Sequence, residues 1–363
     1  MEQLPKKTSL ARETAAILKE WIRSGVLRDV VPGELELKKR LMVGRDTLRS
    51  ALKVLEHEKW ITRSSQGRQR KVTGHNPDDK PMVPGEVLPV SFLSPEKVVH
   101  RITLRELEET QVRLARKGRD LRFVSPDIFH LKSPEHHLER LVKASPSSAW
   151  ILWLASEPIQ RWFDRQGIPT LLMGSPFPGV GLPFIVNDWG PAAFHAGIQL
   201  VREGHRNVAI LEYKERFPGL VAEEQGLVRA LETAEPKGRM FAVLDDGTPA
   251  SVALALESVF AQKEKPTALV LTRAAQVLTC FSWLVSRGIR VPADVSLLSL
   301  ANDSCFDDFF PILSHYRSNT KLLSRSIGER VLELVETGRT TKKSLRIPLE
   351  YAPGLTIGPP PKP

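Results

Sequence analysis

Residues 43–55 decide the fold of the N-terminal region, and they read VGRDTLRSALKVL. The four apolar residues between Leu48 and Leu55 recur at positions i, i+3, i+4 and i+7. This spacing predicts one buried stripe on a helix that spans roughly Arg45 to Glu58. Basic and polar side chains remain on the outer face of that helix: Arg45, Asp46, Arg49, Ser50 and Lys53.

The segments on either side complete a small domain. A helix is predicted from about Leu10 to Ser24, and a second, opened by a Pro-Gly pair, from Glu34 to Met42. After the third helix, residues 60–63 and 70–72 flank a stretch with glycine near its tip, which predicts a β-hairpin. Three helices followed by a hairpin form a winged helix-turn-helix.

The outer face of the third helix suits DNA. A major groove admits one helix, and arginine side chains at its N-terminal end reach guanine edges. Arg45 and Arg49 lie one turn apart on the same face. Arg68 and Arg70 in the hairpin are expected to enter the minor groove or bind phosphate. The alternative is a small helical domain whose basic face is only solvated.

The segments 32–37 and 43–52, together with Leu55 and Gly67-Arg68, resemble the GntR-type winged-helix family. The resemblance covers roughly residues 8–72. It implies DNA contacts by Arg45, Thr47, Arg49, Gly67 and Arg68. The chain departs from the family pattern at four positions, and these departures bear on the operator sequence: Leu35, Gly44, Asp46 and Gln69.

Charge is concentrated in this N-terminal domain. Residues 1–72 hold 17 Lys and Arg against 9 Asp and Glu, so they carry +8 of the net charge of +10. Such an excess in a small domain indicates a nucleic acid or another anionic partner. Three prolines and two glycines within residues 73–85 predict a linker, which we place at 73–86.

The rest of the 363-residue chain alternates strands and helices, which predicts an α/β fold with parallel sheets. About 270 residues exceed one compact core, so two lobes are expected. Ligands of such sheets bind at the carboxyl ends of the strands. The predicted strands are 90–93, 121–124, 149–155, 169–173, 208–211, 240–244, 268–272, 295–300 and 345–349. Helices predicted between them include 96–116, 191–202, 251–262 and 275–287.

Two blocks, at residues 188–211 and 288–300, resemble the LacI/GalR effector domain, which is related to periplasmic sugar-binding proteins. This resemblance spans roughly residues 87–352. It implies a two-lobed domain that dimerises and binds an effector between its lobes. The sequence therefore predicts a DNA-binding domain at 1–72, the linker at 73–86, the effector domain at 87–352 and a flexible tail at 353–363.

The ligand cleft departs from the LacI/GalR pattern. The family usually has arginine at the position of Glu223 and aspartate at the positions of Ala274 and Ala301. Without these anchors an ordinary sugar would bind weakly, because a buried polar group left unpaired costs about 1–3 kcal/mol. Glu223 could favour a cationic or hydroxyl-rich ligand. The candidate effector-binding residues are Ser94, Trp153, Asp188, Glu223, Arg273, Asn302 and Asp303.

The sequence gives little support for a catalytic or metal-binding function. The motifs of serine hydrolases, P-loops, dinucleotide sites, zinc proteases and C-x-x-C sites are missing from the sequence, so we expect no enzyme, cofactor or metal. GntR-type domains are also fused to aminotransferase-like enzymes, which is one alternative. Cys280 and Cys305 are expected to be reduced thiols. The longest apolar run, 149–155, is too short for a membrane span of about 20 residues, and the start of the chain lacks a secretory pattern.

The sequence thus predicts a cytoplasmic transcriptional regulator, a repressor. Two copies would form a homodimer that reads an inverted-repeat operator in double-stranded DNA. Its α/β domain would sense a small-molecule effector other than an ordinary sugar. The other alternative is a DNA-binding dimer scaffold that responds to no ligand.

Overall fold

The structure is a computed structural model. It describes residues 10–23, 27, 30–41, 43–63, 70–72, 87–95, 104–301, 303–341 and 344–362. Its helices are α1 (Leu10–Arg23), α2 (Glu34–Leu41), α3 (Arg45–His57), α4 (Leu104–Ala115), α5 (Glu135–Ala144), α6 (Glu157–Gln166), α7 (Trp189–Glu203), α8 (Pro218–Leu231), α9 (Pro249–Phe260), α10 (Ala274–Ser286) and α11 (Thr320–Thr337).

The strands are short. They are β1 (Val30–Val31), β2 (Ile61–Arg63), β3 (Arg70–Val72), β4 (Val90–Leu93), β5 (Leu121–Val124), β6 (Ala149–Trp153), β7 (Thr170–Met173), β8 (Phe184–Asn187), β9 (Asn207–Tyr213), β10 (Arg239–Asp245), β11 (Ala268–Leu271), β12 (Ser296–Ser299), β13 (Ser314–Ser318), β14 (Leu345–Ile347) and β15 (Leu349–Ala352). They form one three-stranded and two six-stranded sheets.

The chain divides into two compact units. The first contains Met1–Val87 with Pro126–Ile128 and His136–Pro146, and the second contains the rest. In the first unit, the four apolar residues of α3 pack with Leu18 of α1 and Leu37 of α2 in one core. Strand β3 pairs antiparallel with both β1 and β2. The predicted three helices and hairpin strands are therefore confirmed.

The second unit contains two lobes. The sheet of the N-terminal lobe has the order β14-β8-β7-β6-β4-β5 and is parallel throughout. Helices α4 and α11 cover one of its faces, with Leu107, Leu114, Ile327 and Val331 in the core. A strand that is covered on both faces needs no alternation of apolar and polar residues. Accordingly, β4 and β7 are buried at every residue.

The C-terminal lobe has the sheet order β10-β9-β11-β12-β13-β15. Helices α7 and α8 cover one face through a core that includes Leu200, Ile210 and Leu227. Helices α9 and α10 cover the other face, around Leu256 and Leu271. Only β15 runs antiparallel to its neighbour in this sheet, where it pairs with β13 at the edge.

Three short connections join the two lobes: 187–189, 318–320 and 347–349. They lie together, because the Asp188 amide donates to the Ile347 carbonyl at 2.8 Å and the Ser318 hydroxyl donates to Asn187 at 2.9 Å. Each connection meets both sheets at the carboxyl ends of their parallel strands. The carboxyl edges of the two sheets therefore face the same cleft.

Several elements of the α/β unit differ from the sequence-based prediction. Strand β13 (SHYRS) is mostly polar, and the prediction omits it together with the short strands β1 and β8. The predicted strand 345–349 is broken at Pro348 into β14 in one lobe and β15 in the other. The helix predicted from residue 96 begins, among the described residues, at Leu104. The prediction of a flexible tail at 353–363 is wrong at residues 356–358, because Thr356 is fully buried and its hydroxyl donates to the Leu297 carbonyl at 2.6 Å. No helix in the described ranges is both long and apolar enough to cross a membrane.

Candidate functional site

The basic face of α3 is the candidate nucleic-acid interface. The helix starts at Arg45 after Gly44, whose extended backbone serves as the N-cap. Thr47 is half-buried. The other residues that the sequence assigns to the face are exposed: Arg45, Asp46, Arg49, Ser50 and Lys53. The buried stripe thus holds the helix while long donors point outward from its first two turns.

Glu34 at the start of α2 connects this face to the hairpin. Its Oε2 accepts a hydrogen bond from Arg49 Nε at 3.1 Å, and its Oε1 lies 3.4 Å from both terminal nitrogens of Arg70. Arg70 Nε also donates to Glu56 at 2.7 Å. Sequence reasoning missed Glu34, although an acidic first turn beside a basic helix is the pattern that would have pointed to it.

This network changes the interpretation of two predicted DNA contacts. The Arg70 guanidinium is half-buried between two carboxylates, so it braces β3 against α2 and α3. Arg49 is about half-exposed and must exchange Glu34 for DNA when it binds. The DNA contacts by both residues stay predictions. Gly67 and Arg68 lie outside the described residues.

In the α/β unit, the sequence-predicted effector residues lie at the carboxyl edges of the sheets. Ser94 follows β4 and is fully buried, and Trp153 ends β6 and packs on Phe92 with ring centroids 6.2 Å apart. Asp188 lies on the connection 187–189, 3.8 Å from Arg346. Asn302 falls outside the described residues, and neighbouring Asp303 accepts from the Cys305 amide at 3.0 Å. The Asp303 carboxylate thereby caps a short helical turn.

Arg273 does not present a free guanidinium to the cleft. Its Nη2 donates to buried Asp245, and its guanidinium lies over the Tyr213 ring, 4.9 Å from the centroid. Gln276 Nε2 donates to the other Asp245 oxygen at 2.7 Å. Arg273 therefore neutralises a carboxylate at the end of β10 that sequence reasoning missed. Ala274 and Ala301 pack in the apolar core on this side of the sheet.

Glu223 is the most unusual side chain at this edge. It lies in the second turn of α8 and is only 5% exposed, and its Oε2 has no hydrogen-bond partner among the described residues. Burial raises the pKa of the Glu223 carboxyl to about 8. Since buried polar groups are almost always paired, an orphan carboxyl here marks either stored strain or a site for a missing partner.

Glu212 lies beside it at the end of β9 and is fully buried. Its Oε2 accepts from Arg216 at 3.1 Å, whereas Oε1 has no partner among the described residues. Burial, then a hydrogen bond with the Glu224 carboxyl and the charges of Glu224 and Glu223, raise the pKa of Glu212 well above its usual value. Sequence reasoning missed Glu212, although an acidic residue that ends the apolar run Val208–Leu211 is the signal that could have found it.

Comparisons with known proteins agree with this architecture. The model for bacterial regulatory proteins of the gntR family matches residues 10–69, and the model for a periplasmic binding protein-like domain matches residues 198–357. The repressor PurR of Yersinia pestis is 24% identical over 201 residues, which cover 49% of this chain and 57% of that protein. The PurR of Yersinia pseudotuberculosis matches to the same extent. The chain thus spans little more than half the length of these curated relatives.

Solved structures of regulators share the fold of the α/β unit. A LacI family transcriptional regulator from Bifidobacterium animalis has a TM-score of 0.62 at 19% identity, covering 75% of this chain and 98% of that one. The transcription regulator CcpA of Lactococcus lactis has a TM-score of 0.65 at 14% identity, covering 75% and 100%. The chain therefore joins a DNA-binding domain of the gntR type, at residues 10–69, to a periplasmic binding protein-like domain with the fold of LacI-family regulators, matched at residues 198–357.

Proposed function

We propose that this chain is a sequence-specific DNA-binding transcriptional regulator of the cytoplasm, acting as a repressor, and not an enzyme. The observation that carries the proposal is the exposed basic face of α3, held by a fully buried apolar stripe within a winged helix-turn-helix. The match to gntR-family regulators and the likeness to proteins named as repressors support it. The match to a periplasmic binding protein-like domain favours this reading over an aminotransferase-like enzyme.

Arg45 and Arg49 would read base edges in the major groove, with Asp46, Thr47, Ser50 and Lys53 beside them. A homodimer formed through the α/β unit would place two such helices on the half-sites of an inverted repeat. An effector in the cleft between the lobes would act only through unequal affinity for the DNA-bound and free states, commonly a coupling of about 1–3 kcal/mol.

A second candidate is a ligand-independent dimer scaffold. It is favoured by the two alanines that replace the usual cleft aspartates and by the engagement of Arg273 with Asp245. The two candidates differ in one measurable property. A ligand at about 100 times its Kd stabilises the folded protein by about 2.7 kcal/mol, so a sensor gains a higher melting temperature from its effector and a scaffold gains none.

DNA binding itself is testable with the purified full-length chain and mixed genomic fragments. We expect an affinity that falls at least about 100-fold between 50 and 200 mM salt, because Lys and Arg contacts to phosphate release counterions. Fluorescence anisotropy across a salt series measures this slope. An affinity that does not change with salt, or no binding at 50 mM salt, would overturn the proposal.

A matched pair of lysine variants tests which surface binds. Lys53→Ala removes an exposed charge from α3 and should lower the salt slope by about one unit. Lys263→Ala removes an exposed charge that follows α9 in the α/β unit and should leave the slope unchanged. The opposite pattern would place the DNA interface outside the winged helix-turn-helix.

A further inference from the structure

The buried acidic edge of the C-terminal lobe, defined as Glu212, Glu223 and Glu224, is short of positive charge. Arg216 is shared between Glu212 and Glu224, and its guanidinium donates to both carboxylates of this pair. Glu223 forms no ion pair with a described residue, although its side chain is about nineteen-twentieths buried. Three carboxyl groups thus lie near the carboxyl end of β9, and the one guanidinium there pairs with two of them.

Two oxygens of this edge are left to accept hydrogen bonds. Along β9, Val208 and Ile210 face the core under α7 and α8, and Glu212 continues that face at the strand's carboxyl end. Glu223 lies one turn before Leu227, which packs in the same core. The orphan oxygens, Glu212 Oε1 and Glu223 Oε2, therefore lie on one face of the sheet at its cleft edge.

The opposite lobe supplies unpartnered hydroxyls at its own carboxyl edge. Ser94 Oγ after β4 and Ser156 Oγ after β6 are buried and have no hydrogen-bond partner in the described part of the chain. The lobes approach each other beside them, since a Cβ placed on Gly219 at the start of α8 would lie 3.9 Å from Ser175 Oγ. Carboxyls at the edge of one sheet and hydroxyls at the edge of the other thus lie at the two sides of the junction between the lobes.

We propose that the cleft binds a small hydroxylated amine, with its ammonium group between Glu223 and Glu212 and its hydroxyl groups toward Ser94 and Ser156. An ammonium group brings three donors and no acceptor, which suits two orphan carboxyl oxygens. Hydrogen bonds between ionised partners are about twice as strong as neutral ones, so the cation would compensate for the burial of the carboxylates. This inference rests on the proposed function, because it takes the cleft as the effector site.

Three probes with the same ring separate the charge classes: glucosamine is cationic, glucose is neutral and glucuronate is anionic. Ethanolamine serves as a minimal acyclic amine. With the full-length chain at pH 7.5 and matched ionic strength, we expect the two amines at 10 mM to raise the Tm by about 2 °C or more. Glucose and glucuronate should leave it unchanged.

The amine response should depend on the two orphan carboxyls. Glu223→Gln and Glu212→Gln keep the side-chain shape and should abolish the Tm shift. Glu232→Gln, an exposed glutamate just after α8, should retain it. Three outcomes would each overturn the inference. Neither amine shifts the Tm, glucose or glucuronate shifts it as much as the amines do, or Glu223→Gln responds like the wild type.

Proton release gives a second readout that needs no variant. The pKa of Glu223 is about 8, so the free protein holds this carboxyl mostly protonated at pH 7 and must release the proton to bind a cation. Affinity for ethanolamine, whose ammonium group keeps its proton in this range, should strengthen by about tenfold per pH unit or more between pH 6 and pH 8, because Glu223 and Glu212 must both ionise. Calorimetry in two buffers of different ionisation enthalpy should show about one to two protons released, since Glu212 also has a raised pKa. Binding without proton release at pH 7 would contradict the assignment to Glu223.

Among the described residues, the titratable group from another element that interacts with Glu223 is Glu212 of β9, and burial is the cause of the raised pKa of Glu223. On the side of α7, the backbone of Gly190 and Phe194 and the Ala193 methyl pack against Gly226, and none of these groups titrates.

Binding of genomic DNA by the wild-type chain, measured without any probe, distinguishes a failure of this inference from a failure of the proposed function. DNA binding without an amine response removes only this inference, whereas the absence of DNA binding removes the proposed function.

Discussion

Replacing Arg45 with alanine is expected to weaken binding to a duplex selected from the genome by about 1–3 kcal/mol, roughly 5- to 150-fold. The reason is that an arginine in the first turn of α3 can form two hydrogen bonds to a guanine, and alanine forms none. Arg45 is exposed and has no ion pair with a described residue, so its guanidinium meets DNA without giving up a partner.

Arg49→Ala should weaken binding less than Arg45→Ala. Arg49 already pairs with Glu34, so part of its contact energy with DNA replaces an existing ion pair. Fluorescence anisotropy on the selected duplex and on duplexes with single base changes measures both affinity and base preference. Arg202→Ala, exposed near the end of α7, is the control. Unchanged affinity in both α3 variants would contradict the assignment of α3 as the recognition helix.

Replacing Gly226 with alanine is expected to destabilise the α/β unit by about 2–4 kcal/mol. A Cβ at Gly226 would lie 2.3 Å from the Gly190 carbonyl oxygen and 3.0 Å from the Phe194 amide nitrogen, and both are backbone atoms that cannot turn aside. Helices α7 and α8 would have to separate, which loosens the core around Leu227. Overpacking of this kind typically costs 1–3 kcal/mol, and more where backbone must move.

The same substitution at Gly219 is the matched control, because Gly219 lies on the same helix. A Cβ there would meet only Ser175 Oγ at 3.9 Å, an ordinary contact. Gly219→Ala should therefore be neutral or slightly stabilising, since alanine has the higher helix propensity. Urea unfolding of both variants measures the difference. Equal stabilities of the two variants would show that α7 and α8 do not pack as closely as the structure places them.

The N-terminal domain could be predicted from sequence because its elements are encoded locally. The stripe from Leu48 to Leu55 gives α3 both its period and its buried face, and all four of its residues are buried as expected. Apolar runs such as 90–93 likewise specify buried strands, with bounds that match β4. Strand β13 could not be predicted in this way, because its polar sequence becomes a strand only by pairing with β12 and β15.

The residue types at the candidate sites could be predicted from the sequence, but the residues with which they form ion pairs could not. Arg273, Arg70 and Arg49 are basic residues in the expected places, yet the structure pairs them with Asp245, Glu56 and Glu34 from other helices and strands. Such ion pairs depend on tertiary contacts that a single sequence does not display. The departure at Glu223 was visible in the sequence, whereas its burial next to Glu212 needed the fold.

The central claim, sequence-specific DNA binding by a dimer, is tested most directly by selection. Purified full-length protein is mixed with fragments of the organism's genomic DNA, and the bound fragments are sequenced. The account predicts enrichment of an inverted repeat whose half-sites lie about one helical turn apart, or a multiple of it. Salt-sensitive binding with no enriched motif would contradict it, because the winged helix-turn-helix would then contact only the phosphate backbone.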